Sequence, residues 1–210
     1  IGGLALVVLL KGAFAEPRPP ESVMRIAADG NGFPSGHATG ATAFYGGLAA
    51  LLAVGSRRRR FLAGAGVILL VSATRVALGV HYLVDVLAGM AVGTAFVAVT
   101  LALTARRIAD GFLLAVALAA AAVAVVGPTV DAVAALGGTV GALAGWLLVD
   151  ERERVEQAIR PVAGAAVVLA FGGAAAAALG LDAAKPVVFA THVGAGTVFV
   201  GLPAVQNVSR

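Results

Sequence analysis

The amino-acid sequence predicts an all-α fold, a polytopic transmembrane bundle of about eight helices. Hydrophobic residues make up 60% of the 210 positions and charged residues only 12%, whereas soluble domains carry about 25% charged residues. The mean hydropathy is accordingly high, at +0.98. Apolar runs long enough to cross a bilayer, roughly 20 residues in a helix, recur along the chain. The alternating pattern of a membrane barrel is absent from the sequence, so the spanning segments must be helices.

Charged residues and Pro/Gly breaks separate the predicted helices. In chain order these helices cover residues 1–12, 36–55, 61–79, 81–105, 110–127, 130–149, 161–180 and 186–204. The chain begins at Ile1 without a Met and already inside an apolar run, so we expect part of the first helix to lie in a preceding segment. The stretch "PSG" caps the second helix, "LGV" separates the third from the fourth, and "GPTVD" and "LDAAKP" follow the fifth and seventh.

Arginine in alternate connections predicts the orientation of the bundle. The stretch "SRRRRF" ends the second helix, "ARR" ends the fourth and "DERERVEQAIR" follows the sixth. Cytoplasmic loops carry an excess of Arg and Lys, so we expect these connections in the cytoplasm and the others outside. The long connection after the first helix nevertheless has Lys11, Arg18 and Arg25 on the outer side. The presence of Lys11 and Arg18 there indicates a role beyond topology, whereas Arg25 is expected to be solvated in the loop.

Ionisable side chains in an apolar segment require an explanation because they are costly in a membrane. The stretch "TRVALGVHYLVD" contains Arg75, His81 and Asp85. His81 and Asp85 are four residues apart on one helix face, so the carboxylate can accept a hydrogen bond from one ring nitrogen. The other nitrogen is then free to act as a base or a nucleophile. We expect Gly79 to break the helix and bring the guanidinium of Arg75 beside the imidazole.

Two further clusters are predicted on the same side of the membrane. The stretch "FPSGHATG" starts a helix with Ser35 or Gly36 at its cap and His37 in its first turn. Its free backbone amides and the positive end of its dipole form an anion site. The stretch "KGAFAEPRP" puts Lys11 and Arg18 at the exit of the first helix, where two cations can clamp a tetrahedral oxyanion. Together these features predict a phosphate site.

Taken in this order, the three clusters resemble the signature of the type 2 phosphatidic acid phosphatase superfamily. That signature is Lys, six residues, Arg-Pro; then Pro-Ser-Gly-His; then Ser-Arg, five residues, His, three residues, Asp. It matches the segments from Lys11 to Pro19, from Pro34 to His37 and from Thr74 to Asp85. The spacing is kept throughout, and Thr74 replaces the usual Ser with another hydroxyl. The resemblance covers residues 1 to about 105.

The resemblance implies a role for each matched residue. His81 is expected to attack phosphorus and form a phosphohistidine, while Asp85 holds the ring in the reactive tautomer. His37 is expected to protonate the leaving alcohol and later to activate water. The groups expected to bind the phosphoryl oxygens are Lys11, Arg18, Ser35, the backbone amide of Gly36, Thr74 and Arg75. No metal and no other cofactor is expected, and turnover should have a bell-shaped pH dependence.

The resemblance also implies an organisation and a function. Residues 1–107 are expected to be a phosphatase core that is incomplete at its N terminus, and residues 108–210 a further four-helix membrane module without an assigned role. The predicted reaction is hydrolysis of a lipid phosphate or pyrophosphate monoester at the extracytoplasmic face of a prokaryotic cell membrane. The expected partners are the lipid substrate and the bilayer, and no nucleic acid. The particular lipid and the oligomeric state stay open.

Two other functions remain open at this point. A vanadium haloperoxidase has the same anion pocket, although such enzymes are typically soluble. A catalytically silent lipid-phosphate binder, transporter or sensor is the second alternative, and the intact His37, His81 and Asp85 argue against it. Phosphoryl transfer to an acceptor other than water is a further variant of the predicted reaction.

Overall fold

The computed structural model describes residues 1–148, 172–175, 177–180 and 183–205, with the backbone alone over 202–205. Every long element in these residues is a helix, so the prediction of an all-α fold is confirmed. The helices are α1 (Gly2–Phe14), α2 (Gly36–Ala41), α3 (Gly47–Leu51), α4 (Arg57–Ala77), α5 (Leu83–Thr104), α6 (Ile108–Val126), α7 (Val130–Leu148) and α8 (Lys185–Val205). Most of the predicted helix over 161–180 lies outside the described residues, and its described parts, 172–175 and 177–180, are helical.

The second predicted helix is interrupted and ends early. A π-helical turn, Thr42–Gly46, joins α2 to α3, which ends at Leu51 rather than at residue 55. The run of arginines that was expected to follow as a connection instead forms the first turn of α4. Ser56 caps this turn, because its hydroxyl accepts the backbone N–H of Arg59 at 3.3 Å. The guanidinium of Arg60 turns back and donates to the Ala49 carbonyl at 3.1 Å, near the end of α3.

Four of the described helices, α4 to α7, are long and apolar enough to cross a membrane. The shorter α1 is also apolar. The prediction of a polytopic helical membrane protein is therefore confirmed. The side of the membrane that carries the site, and the prokaryotic source, stay predictions.

The chain divides into two compact units. One unit is Leu6–Arg106, and the other combines Ile1–Ala5 with Arg107–Arg210. All three sequence motifs fall in the Leu6–Arg106 unit. The division of labour between a phosphatase core and an additional module stays a prediction.

In the Leu6–Arg106 unit, α2 lies against α5 with almost no side chain between them. A Cβ atom on Gly89 would lie 2.7 Å from the Ser35 carbonyl oxygen, and one on Gly93 would lie 2.7 Å from Cβ of Thr42. Small residues four positions apart allow this backbone approach in membrane helices. The contact brings the N terminus of α2 to the first turns of α5.

In the other unit, α7 packs on α8 through a row of glycines. Gly137, Gly141 and Gly145 are four residues apart, and a Cβ atom on any of them would collide with a carbonyl oxygen of α8. For Gly141 that oxygen belongs to Val193. Van der Waals contact between backbones is the main attraction available to helices in lipid. This pair therefore depends on the absence of side chains at these positions.

We expect Gly141→Ala to destabilise the protein by about 1–3 kcal/mol, because the new methyl group forces α7 away from α8. Gly66→Ala is the matched control. Gly66 lies inside α4 with open space where its Cβ would be, and Ala is the better helix former. Thermal unfolding of the detergent-purified protein compares the two variants. A Gly141→Ala variant as stable as the Gly66→Ala variant would contradict the tight α7–α8 contact.

Candidate active site

The loop between α4 and α5 determines where the third motif puts its side chains. Helix α4 ends at Ala77, and Gly79 follows with φ +70°, a conformation that glycine adopts readily. A Cβ atom on Gly79 would also collide with the carbonyl oxygen of Val23, which belongs to the loop between α1 and α2. The prediction of a helix break at Gly79 is confirmed. The break separates Arg75, in the last turn of α4, from His81.

His81 and Asp85 form a buried pair at the start of α5. Nδ1 of His81 lies 3.3 Å from Oδ2 of Asp85, and the two residues are only 3% and 4% exposed. The same oxygen accepts the backbone N–H of Tyr82 at 2.9 Å, which fixes the carboxylate at the helix N terminus. A carboxylate accepts hydrogen bonds, so Nδ1 carries the proton. The Nε2 lone pair is then left unprotonated.

Arg18 contacts that unprotonated nitrogen. Its Nη1 lies 3.3 Å from Nε2 of His81 and donates to the Val80 carbonyl at 2.9 Å. Its Nε donates to the carbonyls of Asp29 and Gly30 at 3.0 and 3.1 Å. A guanidinium has no acceptor, so Nε2 must be the acceptor of the first bond. Arg18 and Asp85 therefore select the same tautomer of the imidazole from opposite sides.

The protonation of His81 follows from this environment. Burial, and next the charge of Arg18, lower the pKa of His81 to about 4, although the hydrogen bond that His81 donates to Asp85 acts in the opposite direction. His81 lies in the loop outside the spanning helices. Its imidazole is therefore neutral through the physiological pH range, as a nucleophile must be.

The N terminus of α2 lies next to this pair. Ser35 is the N-cap, its hydroxyl accepts the N–H of Ala38 at 3.5 Å, and its own N–H donates to the Asp85 carbonyl at 2.9 Å. His37 is exposed in the first turn. The Ser35 side chain is fully buried, so its contact with phosphate stays a prediction.

Lys11 approaches the N terminus of α2 from α1. The space where a Cβ of Gly36 would be is 3.0 Å from Cγ1 of Val7 and 3.4 Å from Cε of Lys11. The Lys11 ammonium donates to the Asn31 carbonyl at 2.5 Å, and the Asn31 side-chain amide donates to the Lys11 carbonyl at 2.8 Å. Sequence reasoning missed Asn31. The only signal available was its position in the loop three residues before Pro34.

Thr74 contacts Arg75 and the helix backbone. Its hydroxyl donates to the Val71 carbonyl at 2.7 Å, and it accepts from Nε and Nη2 of Arg75 at 3.4 and 3.3 Å. These two bonds are long. A role for Thr74 in orienting Arg75 is supported by this geometry, and its direct contact with phosphate stays a prediction.

Comparison with known proteins identifies the family of this chain. The profile of the PAP2 superfamily matches residues 1–109. The chain belongs to the PAP2 superfamily. No curated protein and no solved structure gives a significant match to it. The suspected relationship is thus confirmed, and phosphatase-type chemistry, either of a lipid phosphatase or of the haloperoxidase kind, comes with it. The roles of individual residues stay predictions.

The PAP2 motifs of this chain form one positively charged site. The positive charges of Arg75, Lys11 and Arg18 are close enough to interact electrostatically with the imidazole of His37. Those of Arg18 and Lys11 also interact with the imidazole of His81. Two helix N termini add their positive ends to this field. Among the described residues, no three His, Asp or Glu side chains gather as in a metal site. The arrangement is suited to bind a tetrahedral dianion beside a neutral imidazole nitrogen.

We expect kcat/KM to fall as the pH drops through the pKa of His81, near 4, because a proton then occupies Nε2. Arg18→Gln removes a cation that lowers this pKa, so the acid limb of its residual activity should move up by about one pH unit.

His37→Ala should abolish the alkaline limb of the pH–rate profile, because this limb reports loss of the proton that His37 donates.

The measurement is the pH–rate profile between pH 3 and 10, with preincubation controls for inactivation. Arg25→Gln is the matched control, since Arg25 lies exposed in the same loop between α1 and α2 and the variant is expected to keep the wild-type profile. An acid limb at the same pH in wild type and Arg18→Gln would show that His81 does not control it.

Proposed function

We propose that this protein is an integral membrane phosphatase that hydrolyses a lipid phosphate or pyrophosphate monoester at the extracytoplasmic face. The reaction proceeds through a phosphohistidine on His81 and needs no metal ion. The observation that carries the proposal is the state of His81. Its Nδ1 is bonded to Asp85 at 3.3 Å, and its unprotonated Nε2 lies 3.3 Å from Nη1 of Arg18, one of the cations that would hold a phosphoryl group.

Binding of the phosphoryl group begins with an exchange at Arg18. Without substrate, Nη1 of Arg18 donates to the Nε2 lone pair at 3.3 Å. A phosphoryl oxygen is a stronger, charged acceptor, so the guanidinium transfers this bond to the substrate and frees the lone pair. Lys11, Arg75 and the amide of Gly36 neutralise the remaining oxygens, with the hydroxyls of Ser35 and Thr74 as further donors.

The first chemical step transfers the phosphoryl group to His81. Nε2 attacks phosphorus, the bond to the ester oxygen breaks, and His37 gives its proton to the leaving alkoxide. The bound dianion favours the protonated form of His37 before this step. Asp85 accepts the bond from the Nδ1–H and so stabilises the positive charge on the phosphorylated ring.

The second step returns the enzyme to its starting state. His37, now neutral, takes a proton from water as the water oxygen attacks phosphorus. The bond between phosphorus and Nε2 breaks, inorganic phosphate leaves, and His81 is again neutral. The cations stabilise charge on the three equatorial oxygens in both transition states.

A lipid substrate is supported by the surroundings of His81. Tyr82, Leu83 and Val84 follow it directly and are all more than half exposed, at 51%, 60% and 61%. Helix α5, which begins with Leu83, is long and apolar enough to span the bilayer. An amphiphilic phosphate can therefore put its head group at His81 while its chains stay in the hydrocarbon. This feature favours a lipid phosphatase over a haloperoxidase, since haloperoxidases are typically soluble enzymes.

The test is phosphate release by the detergent-purified protein in EDTA. The substrates are phosphatidate, phosphatidylglycerol phosphate, polyprenyl phosphate and polyprenyl pyrophosphate. We expect release from at least one of these lipids, and a loss of roughly 10³-fold or more in His81→Asn. His192→Asn is the matched control, because His192 lies in α8, bonds to the Val188 carbonyl at 2.8 Å and belongs to none of the motifs.

Two outcomes would contradict the proposal. Release that requires a metal ion would contradict the metal-free mechanism. No release from any lipid, with orthovanadate still bound, would favour the silent binder or the haloperoxidase.

A further inference from the structure

The segment 29–31 of the loop between α1 and α2 holds both cations of the first motif. The carbonyls of Asp29 and Gly30 accept from Nε of Arg18 at 3.0 and 3.1 Å, and the carbonyl of Asn31 accepts from Nζ of Lys11 at 2.5 Å. Gly30 has φ +72°, which glycine adopts without strain. Three consecutive carbonyls therefore determine where the two long, flexible side chains lie.

The side chain of Asn31 ties this segment back to α1. Its Nδ2 donates to the Lys11 carbonyl at 2.8 Å, across 20 residues of sequence. The two residues thus form a reciprocal pair, in which each side chain donates to the backbone carbonyl of the other. The pair is half-buried. Asn31 lies between the first and second motifs of the superfamily signature and belongs to neither.

We propose that Asn31 is a positioning residue that holds the Lys11 ammonium in the phosphate clamp. The inference rests on the proposed function, because it assigns Lys11 to the phosphoryl oxygens. Lysine is a point charge on a four-carbon stem and is not oriented by its own geometry. Its contribution to binding and to transition-state stabilisation depends on being held in place before the substrate arrives.

Asn31→Ala removes the amide and leaves the backbone carbonyl on a segment that is less firmly held. We expect kcat/KM and the affinity for the inhibitor orthovanadate to fall about 10- to 100-fold, the cost of a displacement near 1 Å in a catalytic site. Asn31→Gln keeps the amide donor and should restore part of the loss. Asn31→Asp keeps the shape but replaces the donor by an acceptor that faces a carbonyl, and should not restore it.

A double-mutant cycle separates positioning from a general effect on the fold. In a Lys11→Gln background, where the ammonium is absent, the loss of vanadate affinity in Asn31→Ala should be at least about threefold smaller than in the wild-type background, because only the effect through Arg18 remains. Equal losses in the two backgrounds would overturn the inference, because Asn31 would then act independently of Lys11. Wild-type kinetics and vanadate affinity in Asn31→Ala would overturn it as well.

Thr129→Ala is the matched control for loss of one side-chain bond to the backbone. The Thr129 hydroxyl accepts the N–H of Ala132 at 3.3 Å at the start of α7, away from the motifs. We expect wild-type kinetics for this variant, and thermal unfolding of every variant shows that it is folded. If the wild-type protein releases no phosphate from any lipid, the proposed function fails on its own. Vanadate binding by the same variants then still decides whether Asn31 positions Lys11.

Discussion

The site depends on one close contact, the backbone approach of α2 to α5 at Gly89 and Gly93. This contact lets the N–H of Ser35 donate to the Asp85 carbonyl at 2.9 Å, which holds the N termini of two helices side by side. One N terminus carries His37, and the other carries the pair of His81 and Asp85. His37 and His81 are 44 positions apart in the chain (81 − 37). Neither local sequence nor flexible loops could therefore hold the two side chains at a fixed distance from each other. The glycines do so by removing the side chains that would separate the helices.

The same contact creates the electrostatic conditions for the chemistry. Two helix N termini, Lys11, Arg18 and Arg75 give the site a positive field, which attracts a phosphate dianion and disfavours a second cation. His81 responds by staying neutral, since burial and the charge of Arg18 lower its pKa to about 4. Arg18 therefore has two effects before substrate binds. Together with burial it keeps Nε2 of His81 unprotonated, and it occupies the Nε2 lone pair, which the proposed mechanism frees when a phosphoryl oxygen takes over this bond.

Most of the fold could be predicted from the sequence, because helices, helix breaks and caps are determined by residues close together in the chain. Hydropathy located the helices, and Gly79 predicted the break that α4 makes before His81. The sequence predicts Ser35 or Gly36 as the cap of α2, and the structure has Ser35 there. The prediction of a connection at the arginine run is wrong, because Ser56 caps this run as the first turn of α4. Asn31 could not be predicted, because its partner Lys11 lies 20 residues away and an asparagine in a loop is commonplace. The roles of the motif residues are implied by the resemblance to the superfamily. The geometry of the site is compatible with these roles, which stay predictions.

The central claim is that His81 carries the phosphoryl group, and trapping the phosphoenzyme tests it most directly. The His37→Ala variant, which lacks the base for the hydrolytic step, is mixed with a substrate whose leaving group needs no protonation, such as a nitrophenyl phosphate. The reaction is quenched in alkaline detergent, where phosphohistidine survives, and the modified peptide is identified by mass spectrometry. The account predicts a phosphate on His81 and none in the His37→Ala, His81→Asn double variant. Phosphate on another residue, or turnover with no phosphoenzyme at all, would contradict it.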